Sequence, residues 1–171
     1  AMDIHDGINS TLLILEHRLK AKGQNPGVQI IKHYGALPLV ECYGGLLNQV
    51  LMNLVSNAID ALEECPAPRQ ITIATETGTI ALMGEAVPSV TIRIQDNGSG
   101  MTDEARSHLF ERFFTTKPVG KGTGLGLSIS HQIVTQKHHG TLTCHSQLGV
   151  GTEFIVEIPQ TQRSPGAYRL N

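Results

Sequence analysis

Asp96-Asn97-Gly98-Ser99-Gly100-Met101 is the stretch whose reading decides the fold. Before it, Val90, Ile92 and Ile94 alternate with Thr91, Arg93 and Gln95, the period-2 pattern of a half-buried strand. The aspartate therefore stands where the chain leaves a sheet, at the mouth of a pocket. Gly98 and Gly100 let the backbone turn sharply and pass close to a flat ligand. A carboxylate fixed there can accept a hydrogen bond from an exocyclic amine, a way to select adenine. Asp-Asn-Gly is equally good chemistry for an ordinary turn, and the stretch alone leaves both readings open.

Upstream, the spacing predicts a long helix from Gly44 to Glu64, ended by Pro66 and Pro68. Gln49, Asn53, Ser56, Asn57, Asp60, Glu63 and Glu64 share an arc of about 120°, opposite Leu51, Leu54, Val55, Ala58, Ile59 and Leu62. A solvated face is one explanation. Amides in place of Lys and Glu speak for another, since asparagine is a poor helix former. Asn53 and Asn57 project the same way at i, i+4, and an asparagine oxygen suits Mg²⁺.

Downstream, Gly120-Lys121-Gly122-Thr123-Gly124-Leu125-Gly126-Leu127 opens a second amphipathic helix with Leu125, Ile129 and Ile133 on one side. Unpaired N–H groups at a helix start attract anions, and the glycines would let phosphate approach. The spacing fits neither a Walker A loop nor G-x-G-x-x-G, and a plain glycine-rich loop remains the competing reading. Phe110 to Lys117 gathers three of the chain's four phenylalanines in a segment otherwise read as loop. Either a lid packs these rings down, with Lys117 reaching a phosphate, or they form a small satellite core.

At 171 residues the chain is one domain, burying roughly 70% of its unfolded surface without disulfides or structural metal. A net charge of −2 suggests no nucleic-acid surface. Cys42, Cys65 and Cys144 form no Cys-x-x-Cys pair, which points to a reducing compartment. His138, His139, Cys144 and His145 do not match a zinc spacing. No run approaches the ~20 apolar residues that cross a bilayer, and no signal peptide is present, so no membrane contact is expected from this chain. Ala1-Met2 reads as a cloning remnant of an excised piece.

The remaining pattern gives a first helix capped by Asp6 and stopped by Gly23, and a strand over Val28–His33. Strands follow at Ile71–Glu76 and Val90–Gln95, joined by a glycine-bearing connection. Residues 99–122 form an irregular segment with one helical turn from Asp103 to Phe110, and two strands around Leu142–Cys144 and Phe154–Ile158 close the chain. A layer of helices on one face of a mostly antiparallel sheet is expected.

Four blocks in this order resemble the ATP-binding catalytic domain of sensor histidine kinases. That domain belongs to the superfamily shared with type II topoisomerases, mismatch-repair ATPases and the large heat-shock chaperone. Asn53-Leu54-Val55-Ser56-Asn57-Ala58 resembles the N box, and Asp96 to Met101 the first glycine box. Phe110 to Lys117 resembles the F box, and Gly122-Thr123-Gly124-Leu125-Gly126-Leu127 the second glycine box. The resemblance implies an α+β, two-layer α/β sandwich of the Bergerat type: helices on one face of a mixed, mainly antiparallel sheet, with a flexible ATP lid over about 99–122. Residues 1–24 would be linker and first helix, 25–159 the catalytic domain, and 160–171 a mobile tail.

The resemblance also implies roles. Asp96 would bond the adenine amino group, with Thr152 supporting a bridging water, while Gly98, Gly100 and Met101 shape the base pocket. Asn57 would ligate Mg²⁺ on ATP, and Asn53 would orient the γ-phosphate or help the acceptor lose its proton. Gly122, Thr123, Gly124, Leu125, Gly126 and Leu127 would hold phosphates, with Lys117 and Lys121 neutralising charge. The expected activity is transfer of the γ-phosphate to a histidine on a dimerisation hairpin outside this chain, then signalling to a response regulator receiver domain in the cytoplasm. His5-Asp6 superficially resembles the acceptor motif but lacks its proline, so His5 reads as a linker residue and the isolated domain is expected not to phosphorylate itself. The alternatives are a conformational ATPase, a nucleotide sensor without catalysis, or an anti-sigma-type serine kinase. Asn53 in place of the water-activating glutamate disfavours the ATPase.

Overall fold

The strand that delivers Asp96 is one arm of a hairpin much longer than the alternation suggests. The computed structural model describes residues 1–117 and 124–162. Strand β2 spans Gln70–Leu82 and β3 spans Glu85–Asp96, in continuous antiparallel register from Ile71↔Asp96 to Leu82↔Glu85. Both residues of the turn have positive φ, Met83 at 52° and Gly84 at 83°, the twist that suits a two-residue hairpin. The expected connection between residues 76 and 90 is therefore strand. Gly78 interrupts the pattern, and a methionine at the first turn position gives no local signal.

Strand β1 (Gln29–Tyr34) pairs parallel to β2, whereas β4 (Thr141–Gln147) and β5 (Gly151–Pro159) pair antiparallel, giving the order β1-β2-β3-β5-β4. Ile71, Ile73, Ile92, Ile94, Val156 and Ile158 face the helices and are at most 1% exposed. The opposite face is polar, with Arg93 on β3 paired to Glu76 on β2 and Glu153 on β5. This alternation makes the fold two-layered, since a sheet with one charged face can bury only the other.

Helix α3 (Gly44–Leu62) covers that apolar face with Leu47, Leu51, Leu54, Ala58 and Leu62. Its span follows the expected one within two residues. Helix α1 (Ile4–Ile14) packs on α3, and Gly7 permits the approach, because a Cβ there would lie 2.8 Å from Asn48 Oδ1. Its cap is Asp3, not Asp6: Asp3 Oδ1 accepts from the His5 N–H at 2.8 Å. Asp6 falls in the first turn, where its charge suits the helix dipole. The helix also stops early. Leu15, at φ −89° and ψ 4°, starts a separate turn, α2 (Glu16–Leu19), and both Leu15 and Leu19 stay in the core.

Helix α4 (Asp103–Ser107) is shorter than expected and is capped by Thr102 Oγ1, which accepts from Ala105 N–H. Helix α5 begins at Gly126 and runs to Gln132, then widens into a π-helical turn over Ile133–Lys137. The start expected at Thr123 lies outside the described residues. Its buried positions include Ser128 and Ser130, small side chains that allow close approach to α3. The π turn ends on His138, which is fully buried with both ring nitrogens engaged: Nδ1 with Ile133 O, and Nε2 accepting from Tyr43 N–H. At the other end of β5, Gln160 N–H donates to Pro88 O, so the expected tail is held at least to this residue.

Candidate functional site

Three positions four residues apart on α3, Asn53, Asn57 and Ala61, meet the three sequence blocks one after another. They span about 12 Å of one helix face. Asn53 Nδ2 donates to Gly126 O at 3.3 Å and to Ser130 Oγ at 3.1 Å, at the second glycine block. Asn57 Oδ1 accepts from Lys117 Nζ at 3.2 Å, at the end of the phenylalanine block. Ala61 O lies only 2.7 Å from where a Cβ on Gly98 would stand, so the first glycine block touches the helix backbone.

Strand pairing builds the end beside Ala61. Asp96 is opposite Thr152 on β5, and Thr152 is opposite Ser146 on β4. Asp96 is 5% exposed. Burial pushes its carboxyl up to about 6, against the N–H groups of Gly98 and Thr152 that it accepts and that favour the charge. The Gly98 bond is 2.8 Å. Ser146 Oγ lies 2.8 Å from Thr152 Oγ1 and accepts from Met101 N–H at 2.8 Å. Asp96, Gly98, Met101 and Thr152 thus form one cluster. Ser146 completes it, a residue the sequence patterns passed over because it belongs to no motif. Gly100 has φ 69°, and a Cβ there would meet Gln147 O at 2.1 Å. Its glycine character is needed by the backbone itself.

At the middle of the helix Lys117 also pairs with Asp60, and Asp60 pairs with Arg18 of α2. Burial would raise the Asp60 carboxyl, but hydrogen bonds from Lys117 and Arg18 outweigh it and hold it below the usual range. Asp60 was visible only as one member of the polar stripe. A Mg²⁺ ion fits at Asn57: its Oδ1 is a hard oxygen donor and already holds a cationic ammonium, while the Asp60 carboxylate is taken up by Lys117 and Arg18.

At the far end, Gly124 has φ 69° and its carbonyl accepts from Phe113 N–H at 2.7 Å. A Cβ on Gly124 would lie 2.3 Å from the Phe113 backbone, whereas one on Gly126 would meet nothing nearer than Asn53 at 3.7 Å. Leu125 and Leu127 flank these glycines and are half-buried. Lys121, Gly122 and Thr123 lie outside the described residues. The phenylalanine cluster is not packed down as one unit: Phe110 stacks on His131 at 4.8 Å, but Phe113 is 70% exposed, with φ 64°. His5 is half-buried, its ring stacked on Tyr34 at 4.3 Å and Nε2 2.7 Å from Thr75 Oγ1. A separate cavity of about 230 Å³, lined by Arg18, Lys20, Lys22 and Arg69 among others, contains none of the predicted site residues.

The sequence profile of the histidine kinase-, DNA gyrase B- and HSP90-like ATPases matches residues 44–162. The C4-dicarboxylate transport sensor protein DctS of Rhodobacter capsulatus is 32% identical over 98% of this chain, which spans 23% of that relative's length. The catalytic domain of histidine kinase ThkA superposes with a TM-score of 0.73 at 28% identity, covering 94% of each chain. ThkA in complex with the response regulator protein TrrA gives a TM-score of 0.71 at 26% identity, over 94% of this chain and 41% of that one.

Proposed function

The chain belongs to the histidine kinase-, DNA gyrase B- and HSP90-like ATPase family, as a catalytic ATP-binding domain homologous to those of sensor histidine kinases, and from that premise we propose how its residues work. ATP lies along α3 with its base at Asp96 and its phosphates toward Asn57 and Gly126. The observation that carries this reading is the buried Asp96 carboxylate, set opposite Thr152 beside a glycine pressed against Ala61.

Asp96 accepts the adenine amino group. Thr152 and Ser146, already 2.8 Å apart, hold the water or ring nitrogen beside it, and Met101 packs on the base. Gly98 and Gly100 keep the pocket edge thin. Asn57 would hold Mg²⁺ on ATP through its side-chain oxygen, and the ion would neutralise phosphate charge. Lys117 and Lys121 add positive charge, and the backbone of residues 122–127 receives the phosphate oxygens. Asn53 orients the γ-phosphate from its place against Gly126. Phosphoryl transfer depends mainly on positioning and electrostatics, which amides, glycines and lysines supply without a covalent group.

The acceptor is a histidine on a dimerisation hairpin of a longer kinase, and the phosphoryl group passes on to a response regulator. Two features of this chain support an acceptor elsewhere: His5 is committed to Tyr34 and Thr75, and His138 is fully buried between Ile133 and Tyr43. The kinase domain works in the cytoplasm, and among the described residues no helix is long and apolar enough to cross a membrane. Incubating residues 1–171 with Mg²⁺ and γ-labelled ATP tests the proposal. Stoichiometric nucleotide binding with no acid-labile phosphate on the protein is expected. Label accumulating on one of its own histidines would contradict it.

A further inference from the structure

The carboxylate of Asp60 is shared between two cations from different parts of the fold, Arg18 of α2 and Lys117 at the end of the phenylalanine block. All three side chains are a quarter to a third exposed, shielded enough for their charges to matter. Arg18 also reaches Glu63, the C-terminal cap of α3, at 3.2 Å. Lys117 bridges Asp60 and Asn57, so its ammonium stands at the oxygen assigned to the metal. We propose that the Arg18–Asp60–Lys117 chain is a latch. Asp60 holds Lys117 over Asn57 when the site is empty, and metal-bound nucleotide, by taking Asn57 and drawing Lys117 to its phosphates, leaves Asp60 to Arg18 alone. This inference rests on the nucleotide reading above and makes Asp60 and Arg18 positioning residues.

Two consequences follow from the sharing of one carboxylate. An ammonium and a divalent cation cannot both stand at Asn57 Oδ1, so the pair Lys117–Asp60 competes with metal-nucleotide binding. Arg18 offsets part of the Asp60 charge and weakens the hold on Lys117, which favours release. Linkage then works in both directions: nucleotide that removes Lys117 strengthens Arg18–Asp60 and steadies α2, and α2 in turn sets nucleotide affinity. The N-terminal helices thereby sense the state of the site through one side chain.

A double-mutant cycle reads the coupling. Arg18→Met leaves Lys117 as the main partner of Asp60, and calorimetric affinity for Mg-ATP should drop about 3- to 10-fold. Arg18→Lys should restore most of the affinity, and thermal unfolding of each variant checks that it folds. In the Asp60→Asn background Arg18→Met should have no further effect. Hydrogen exchange supplies the second readout: Mg-nucleotide should slow the amides of Glu16–Leu19 in the unsubstituted chain and not in Asp60→Asn. An equal effect of Arg18→Met in both backgrounds, or α2 exchange indifferent to nucleotide, would overturn the latch. Failure of the unsubstituted chain to bind ATP at all would instead strike the functional reading, and the latch with it.

Discussion

Replacing Asp96 with asparagine removes one charge from a site whose shape hardly changes, and two separable effects should follow. The first concerns the protein alone. Asp96 is 5% exposed and its carboxyl is pushed up to about 6 from an ordinary 3.8. At about 1.4 kcal/mol per unit, keeping it ionised at neutral pH costs the empty domain about 3 kcal/mol. Because the folded value is raised, the folded chain holds the proton more tightly than the unfolded chain between about pH 4 and 6. Stability should fall as pH rises through that window and level off above it. Asp96→Asn should lose that slope and be no less stable at pH 7.5, as denaturant unfolding at several pH values would show.

The second effect concerns the ligand. An adenine amino group donating to a buried carboxylate forms a charge-assisted hydrogen bond worth about 1.5–3 kcal/mol, so ATP affinity in the variant should fall about 10- to 100-fold. GTP affinity should change little, and the ratio of the two should collapse. In the unsubstituted chain ATP affinity should weaken as pH drops below about 6, where the carboxyl takes its proton. The terminal phosphate of ATP titrates in the same region, so the difference between the two proteins carries the test. Calorimetric titration with ATP and GTP from pH 5 to 8 measures all of this. An unchanged ATP-to-GTP ratio in Asp96→Asn would refute the role given to the carboxylate.

Gly126→Ala separates backbone need from ligand need: a Cβ there has room and Gly126 has no left-handed φ to keep, so the fold should persist while ATP affinity falls. Affinity unaltered by that change would remove Gly126 from the phosphate path. Asn57→Ala should reduce the gain in ATP affinity that Mg²⁺ confers at least tenfold, about 1.4 kcal/mol, with base selectivity retained. A metal response equal to that of the unsubstituted chain would move the ion elsewhere.

Much of this architecture was legible in local patterns because those patterns match the physics that builds it. The apolar stripe of α3 and the alternation in Val90–Gln95 each report a buried face, and both elements stand where the stripe and the alternation put them. The hairpin tip was hidden, since Met83 adopts its left-handed conformation under the constraint of twelve residue pairs rather than by its own preference. The π turn was hidden as well: His138 closes it by bonding Ile133 and Tyr43, and Tyr43 is distant in sequence. In the site, Asp96 and Gly98 announce themselves because a turn and a carboxylate sit in one hexapeptide. Ser146 and the Lys117–Asp60 pair do not, because strand register and tertiary packing bring them into place.

Everything turns on whether one nucleotide spans the face of α3 from Asp96 to Asn57. A crystal structure of residues 1–171 with Mg²⁺ and a non-hydrolysable ATP analogue measures that span. The account predicts the adenine amino group within hydrogen-bond reach of Asp96, the metal on Asn57 Oδ1, and Lys117 moved from Asp60 to the phosphates. A base lodged away from Asp96, or a triphosphate held where Asn57 cannot touch its metal, would contradict it.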